Sequence, residues 1–305
     1  MQIITQLEKK YAQPCAVALG SFDGLHIGHR AVINSAVHYT KQSDNLLIPG
    51  IFMMSNSLHK ADIIMPFSIK CSILPSLGIK RIYMPSFNDL RDLSPEEFVY
   101  DILYKKMNVK YISCGYNYHF GKNAKGDCNT LQMLCNKYGI VCDIIEPVEY
   151  QNDTVSSTRI RKCIESGDIN SANDMLHTPF TINFEVVSGR KIGRLLGTPT
   201  LNQIPPKGFV LPKFGVYASF AKVNGKYMPS VTNFGIKPTV GAEKSPLYET
   251  WIMDYNGSLY GQHIEVSLLE FLRVEQKFDN IDLLREKIFS DGDKSKEIFL
   301  NYKIL

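Results

Sequence analysis

The sequence predicts two joined domains of different class: an α/β domain on a parallel sheet, then an antiparallel β-barrel with a terminal helix. Three observations carry this. Five strand-like apolar runs alternate with helical segments over the first half, the pattern of strands joined by covering helices. From Phe180 the texture changes to short alternating strands, with Asn224-Gly225 and Asn256-Gly257 as two-residue hairpin turns. The length of 305 residues suits two domains. His177-Thr178-Pro179 breaks the helical pattern and sets the boundary, giving domains 1–178 and 179–305.

Composition narrows the function classes. Hydrophobic residues at 44% and charged residues at 21% describe a globular chain with ample core. A net charge of +4, without blocks of like charge, suits small anionic ligands and argues against nucleic acid as a partner. No apolar run approaches the about 20 residues of a membrane span. The start, Met1 to Lys10, lacks the apolar core of a secretory signal, so a cytoplasmic location is expected. Seven cysteines without a CxxC pair read as free thiols in a reducing compartment, not as a zinc site. Composition says nothing of oligomeric state.

The first strand, Ala16–Leu19, runs into Gly20-Ser21-Phe22-Asp23-Gly24-Leu25-His26-Ile27-Gly28-His29, and a helix follows on Val32, Ile33, Ala36, Val37 and Thr40. Strand, glycine turn and helix start in that order form a phosphate site: free N–H groups point outward and the helix dipole favours an anion. His26 and His29 add side-chain donors, and Gly24 and Gly28 let the backbone approach a ligand. An ordinary βα turn with two surface histidines shares this spacing. Phe22-Asp23-Gly24 ahead of it favours the nucleotide reading.

The second strand is Leu47–Met54, where Pro49 weakens the assignment or marks a bulge. Ile82–Met84 is the third. Ser94-Pro95-Glu96-Glu97 is a capping box with proline at the first helical position, ahead of Phe98, Ile102 and Leu103. Val109–Cys114 is the fourth strand. The aromatic, glycine- and lysine-rich run Cys114–Asp127 lies at its carboxyl end, where open sheets bind ligands. Ile140–Ile145 is the fifth. In Thr154–Asp168, Ser156 or Ser157 caps a helix and Gly167 ends it. Arg159 and Arg161 fall near its positive end, an unfavourable place for cations unless a polyphosphate sits there. Asp168–Leu176 is a second short helix.

In the second half, Ser188–Asn202 supplies Gly189, Gly193 and Gly197 with Arg190, Lys191 and Arg194, a loop able to wrap phosphate with N–H groups and charge. A Walker-type loop is absent. Thr200 and Asn202 are hard oxygen donors two residues apart, on one face of a strand, and suit Mg2+. A plain barrel turn has the same composition. Glu249, by position alone, is an exposed strand glutamate. The final helix is read from Asp282 to Ser290, with Leu283, Leu284 and Ile288 on one face.

These strings resemble a known family. Gly20 to His29 is similar to the HxGH signature of nucleotidylyltransferases. Its longer form resembles the FMN adenylyltransferase half of the bacterial bifunctional riboflavin kinase/FMN adenylyltransferases, or FAD synthetases. Ser157, Thr158 and Arg161 match the superfamily's S-S-T-x-I-R signature. Asn117, Tyr118 and Phe120 stand in a segment similar to G-x-D-F-x-F-G, with Asn117 for the usual aspartate and Tyr118 for phenylalanine. A further departure is Ile51-Phe52-Met53-Met54-Ser55-Asn56, where the family has a Phe-x-Pro-His-Pro-like turn and this chain has neither the proline pair nor the histidine. Gly189 to Asn202 resembles the riboflavin kinase signature, and runs at 213–217, 231–239, 249–261 and 273–278 follow in family order. Trp251 stands where the family often has histidine.

The resemblance implies a Rossmann-like nucleotidylyltransferase domain and a riboflavin kinase barrel. The substrates would be ATP, riboflavin and FMN, with FAD as product and Mg2+ as cofactor. It implies nucleotide contacts at Gly20, Phe22, Asp23, Gly24, Gly28, Ser157, Thr158, Gly189, Lys191, Gly193, Arg194 and Gly197. Flavin contacts would be Asn117, Tyr118, Phe120, Asn233 and Arg273. Thr200 and Asn202 would hold the metal, Glu249 would be the general base, and His26, His29 and Arg161 would serve the α-phosphorus. Three alternatives stand beside it: a nucleotidylyltransferase of another substrate, a class I aminoacyl-tRNA synthetase, and a non-enzymatic flavin sensor. The synthetase would need a KMSKS-like loop, which is not visible.

Overall fold

A computed structural model describes residues 1–7, 10–55, 62–189, 193, 197–238 and 244–302. Packing divides the chain into two units, Met1–Ala61 with Lys70–Ser156, and Asp62–Ile69 with Ser157–Leu305.

In the first unit, Gln2–Ile4 (β1), Cys15–Leu19 (β2), Ile48–Phe52 (β3), Arg81–Tyr83 (β4), Val109–Gly115 (β5) and Val141–Ile145 (β6) form one sheet among the described residues. The order is β1-β4-β3-β2-β5-β6 and every pairing is parallel. β2 is apolar and buried along its whole length, as a strand covered on both faces must be. The chain adds β3 and β4 on one side of β2, then β5 and β6 on the other. The carboxyl end of β2 is therefore the switch point at which such sheets bind ligands.

The helix after β2, Ile27–Gln42 (α1), buries Val32, Ile33, Ala36 and Thr40 as the spacing predicts. The Ser94 capping box closes in both directions. The Ser94 N–H donates to Glu97 Oε2 at 2.7 Å, and the Glu97 N–H to Ser94 Oγ at 3.2 Å. The helix continues with π-type pairing over Phe98–Lys106 and buries Phe98, Val99, Ile102 and Leu103. Pro49 causes no bulge. It is the second residue of β3, opposite Ala16 on β2, and the ladder to β4 begins only at Gly50, so its missing N–H interrupts nothing there. β1 has no alternating pattern to reveal it: with three residues it exists by pairing with β4, and it is itself an edge of the sheet. A short hairpin, Glu149–Tyr150 (β7) with Asp153–Thr154 (β8), precedes the second unit.

Helices Ser157–Ser166 and Ile169–Leu176 fall in the second unit. Gly167, at φ +87°, ends the first of them, and the Asp168 N–H reaches back to the Cys163 carbonyl at 2.9 Å. Phe180–Val187 (β9), Thr200–Gln203 (β10), Gly215–Val223 (β11), Lys226–Pro238 (β12), Lys244–Ile252 (β13) and His263–Arg273 (β14) close an antiparallel barrel in the order β10-β13-β12-β11-β14-β9. Asn224-Gly225 is the expected two-residue turn between β11 and β12, with φ +49° and +77°. Asn256-Gly257 is not such a turn. Pairing of β13 stops at Ile252 and β14 starts at His263, so it lies within a longer loop that folds back to bury Leu259.

The terminal helix also differs from its reading. It spans Ile281–Asn301, well past Ser290, and Leu283 is exposed. Gly292 lies inside the helix, where the Trp251 ring occupies the space a side chain would need. The helix docks through buried Asp291, Gly292 and Ser295.

Candidate active sites

The first site is built by the start of α1. His26 is its N-cap: the ring Nδ1 accepts the His29 N–H at 3.2 Å. The two imidazoles stack, with centroids 3.6 Å apart and planes 18° from parallel. Phe22 meets His29 edge-on at 5.4 Å. Gly28 permits this arrangement, since a Cβ there would lie 3.2 Å from His26 Nδ1. The turn before the helix is held in left-handed backbone, at φ +50° for Phe22, +86° for Gly24 and +46° for Leu25. Phe22 and Leu25 are fully buried side chains, and strain of this kind gathers at functional turns.

Burial lowers His26 to about 4 and holds His29 well below its ordinary value, with His26 and Lys70 adding to the effect. Both rings are therefore neutral near pH 7. Because His26 Nδ1 is an acceptor, its proton sits on Nε2, which makes Nε2 a donor. Two buried polar atoms at this mouth lack a protein partner, His29 Nδ1 and one terminal nitrogen of Arg30. Buried donors and acceptors left open at a helix start are the mark of a site meant for an anion.

Sequence reasoning missed two cations here. Arg30 donates through Nε to the Leu25 carbonyl at 3.0 Å, fixing the guanidinium beside the turn. Lys70, on helix Phe67–Ile73 (α2), is 5% exposed, and its charge acts on both His29 and Asp23. A lysine inside the apolar run Phe67-Ser68-Ile69-Lys70-Cys71-Ser72-Ile73 was the available signal.

At the carboxyl end of β5, Asn117 is exposed, and its backbone carbonyl meets the His119 ring at 3.0 Å. Tyr118 stacks on Phe120 with centroids 5.9 Å apart, and Phe120 is buried in the core against Phe98. In the second unit, Ser157 and Thr158 open their helix, and Arg161 Nε donates to the Asp62 carbonyl at 2.6 Å.

The barrel site is assembled across strands. Asn202 on β10 stands directly opposite Glu249 on β13, and Glu249 opposite Asn233 on β12. The same row continues through Val216 to Arg273. Thr200, two residues before Asn202, shares its side of β10. A Cβ on Gly189 would collide with the Asn202 amide, and one on Gly193 with the Thr198 carbonyl, so both glycines answer a close approach. Gly197 adopts φ +78°. Lys191 and Arg194 lie outside the described residues.

Asn233 donates to Glu275 at 3.1 Å, and its own carbonyl oxygen is buried without a partner. Arg273 spends Nε and a terminal nitrogen on buried Asp291, at 2.9 and 2.7 Å, which ties β14 to the terminal helix. Trp251 packs on Phe289. The donor set fits Mg2+: Thr200 and Asn202 supply hard oxygens on one side of β10, and Gly189 packs closely on the Asn202 amide. Among the described residues no group of three or more His, Cys, Asp or Glu could hold a metal. A cation here would be shared with substrate phosphates, the usual arrangement for magnesium.

A helix-start phosphate mouth on a parallel sheet, joined to a barrel with a carboxylate facing an amide, defines a two-site nucleotide-dependent transferase. A family model for FAD synthetase matches residues 8–159, and one for riboflavin kinase matches residues 176–299. The bifunctional riboflavin kinase/FMN adenylyltransferase of Bacillus subtilis (strain 168) is 32% identical over 307 residues, covering 97% of this chain and 96% of its own. The enzyme of the same description from Escherichia coli (strain K12) is 29% identical, covering 97% and 96%. A solved Streptococcus pneumoniae chain described as a macrolide-efflux protein has a TM-score of 0.84 at 26% identity, covering 96% of this chain and 98% of that one. Among the described residues no helix here is long and apolar enough to cross a membrane.

The chain belongs to the bifunctional riboflavin kinase/FMN adenylyltransferase family. It phosphorylates riboflavin to FMN and adenylylates FMN to FAD.

Proposed function

We propose that the cross-strand row of the barrel performs the kinase step and the α1 start serves the adenylyl transfer. The observation that carries this is the register placing Asn202, Glu249 and Asn233 side by side on three adjacent strands. In the kinase step the 5′-hydroxyl of riboflavin attacks the γ-phosphorus of ATP, and Glu249 accepts its proton. Thr200 and Asn202 hold Mg2+, which when bound offsets charge on the phosphates. Gly189, Gly193, Gly197, Lys191 and Arg194 wrap the nucleotide. Asn233 turns its open carbonyl toward the flavin, and Arg273 holds the end of the row firm through Asp291.

In the second step an FMN phosphate oxygen attacks the α-phosphorus of ATP and pyrophosphate leaves. No base is required, since the nucleophile is already an anion. The His26 Nε2–H, His29 and the free N–H groups of α1 stabilise the crowded phosphorus, and the signature match assigns Arg161 to the triphosphate. Gly20, Phe22, Asp23, Gly24 and Gly28 shape the nucleotide pocket, and the signature match assigns Ser157 and Thr158 to nucleotide contact. Asn117, Tyr118 and Phe120 form the flavin side. The mild charge supports small molecules as the partners, and seven free thiols support a cytoplasmic setting.

The test is chromatographic. Purified protein with riboflavin, ATP and Mg2+ yields FMN and then FAD. Glu249→Gln stops at riboflavin but converts supplied FMN to FAD. His29→Ala accumulates FMN. Loss of both activities in either variant would sink the assignment.

A further inference from the structure

Two buried cations of the first unit differ in how they are satisfied. Arg81, 7% exposed, donates to Gln2 and to the Tyr83 hydroxyl at 3.2 and 3.0 Å, and lies over the Tyr11 and Tyr83 rings. It is a structural cation with its needs met. Lys70, 5% exposed, has no side-chain hydrogen bond or ion pair among the described residues. A lysine is almost never buried without a partner, because desolvating its charge is costly. What lies within electrostatic reach of it is His29, Asp23 and Cys71, two of them from the Gly20–His29 turn.

The adenylylation mouth needs such a charge. Both its imidazoles are neutral near pH 7, so they offer dipoles only. The first turn of α1 has no acidic residue to oppose an anion. A triphosphate brings several negative charges to that turn, and among the described residues of the first unit Lys70 and Arg30 offer it positive charge.

We propose that Lys70 is a phosphate-contacting residue of the adenylylation site, its ammonium pairing with the part of ATP that departs as pyrophosphate. This rests on the His26–His29 mouth being that site. Bound ATP would then add to Asp23 a directly paired counter-charge for Lys70. The reaction is unchanged: the phosphate oxygen of FMN bonds to the α-phosphorus, the bond to the bridging oxygen breaks, and Lys70 steadies the leaving pyrophosphate without moving a proton.

The test uses the full-length enzyme with FMN, ATP, FAD and inorganic pyrophosphate. Lys70→Met is expected to lower kcat/KM for ATP in FAD formation about 100-fold. It should raise the KM for pyrophosphate in the reverse reaction at least about tenfold, with FMN binding by fluorescence quenching unchanged. Lys70→Arg should recover most of the rate. Wild-type kinetics in Lys70→Met would overturn the proposal. So would equal losses in Lys70→Arg and Lys70→Met, or a loss of far-UV ellipticity in step with activity, since each marks a packing role. His29→Ala runs alongside. If it too retains full adenylylation, the mouth itself is misassigned; if it is inactive while Lys70→Met is normal, Lys70 alone is.

Discussion

The two units handle nucleotide with opposite constructions. In the first, ten consecutive residues bend a strand into a helix, and the backbone itself presents donors, aided by two neutral imidazoles. In the barrel, Asn202, Asn233 and Glu249 arrive from three strands, and only their register aligns them. A contiguous site is sensitive to local conformation. A cross-strand site is sensitive to everything that holds the sheet in step. The contrast also fits the chemistry: adenylyl transfer to an anionic nucleophile needs donors at a fixed point, whereas activating a hydroxyl needs a carboxylate held against its own partner residues.

Several measurements would break or sharpen that contrast. The largest effect is expected from Glu249→Gln. Phosphorylation of riboflavin should fall about 10³-fold or more, while conversion of supplied FMN stays within twofold of wild type, measured by separating the flavins after timed reactions. Next comes Arg273→Met, which leaves buried Asp291 with Lys287 as its remaining partner at 3.2 Å. It should destabilise the barrel by about 3 kcal/mol and lower kinase activity through the shifted row, read by denaturant unfolding beside activity.

A comparable but pH-dependent effect belongs to His26. Its folded value of about 4 lies below the ordinary 6.5, so the unfolded chain takes up the proton first as pH falls. The His26 contribution to stability should decline between pH 6.5 and 4 by about 3 kcal/mol, and His29, also held below its ordinary value, should steepen the fall. His26→Asn keeps a capping side chain and should flatten that slope while losing adenylylation. The smallest effect is Gly292→Ala, whose Cβ would press on Trp251 at 2.7 Å. A loss of about 1–3 kcal/mol, with adenylylation unaffected, is the expected result by thermal unfolding.

Legibility followed the same division. The parallel strands and α1 were readable because apolar runs and the Gly20–His29 string are local. Glu249 was not readable from position; only the family motif singled it out, because its facing partners lie 47 residues before it and 16 before it in the chain. The terminal helix was read only to Ser290, whereas Gly292 stands inside it, packed against the Trp251 indole of β13. Asn256-Gly257 had turn chemistry without strands arriving on both sides. Lys70 escaped notice for a related reason: its burial comes from tertiary packing, which its own helix does not encode.

The brevity of β10 has a consequence for how the kinase comes into being. Its four residues hold the amide of the row and also complete the ring of strands, bridging β13 and β9. If Glu249 is the base proposed above, sealing the ring also sets Asn202 against that carboxylate. A chain still emerging with Asn202 made but Glu249 not yet translated possesses no fractional version of the site. After dilution from denaturant, no FMN should form before that strand seats, so turnover reports the closed ring.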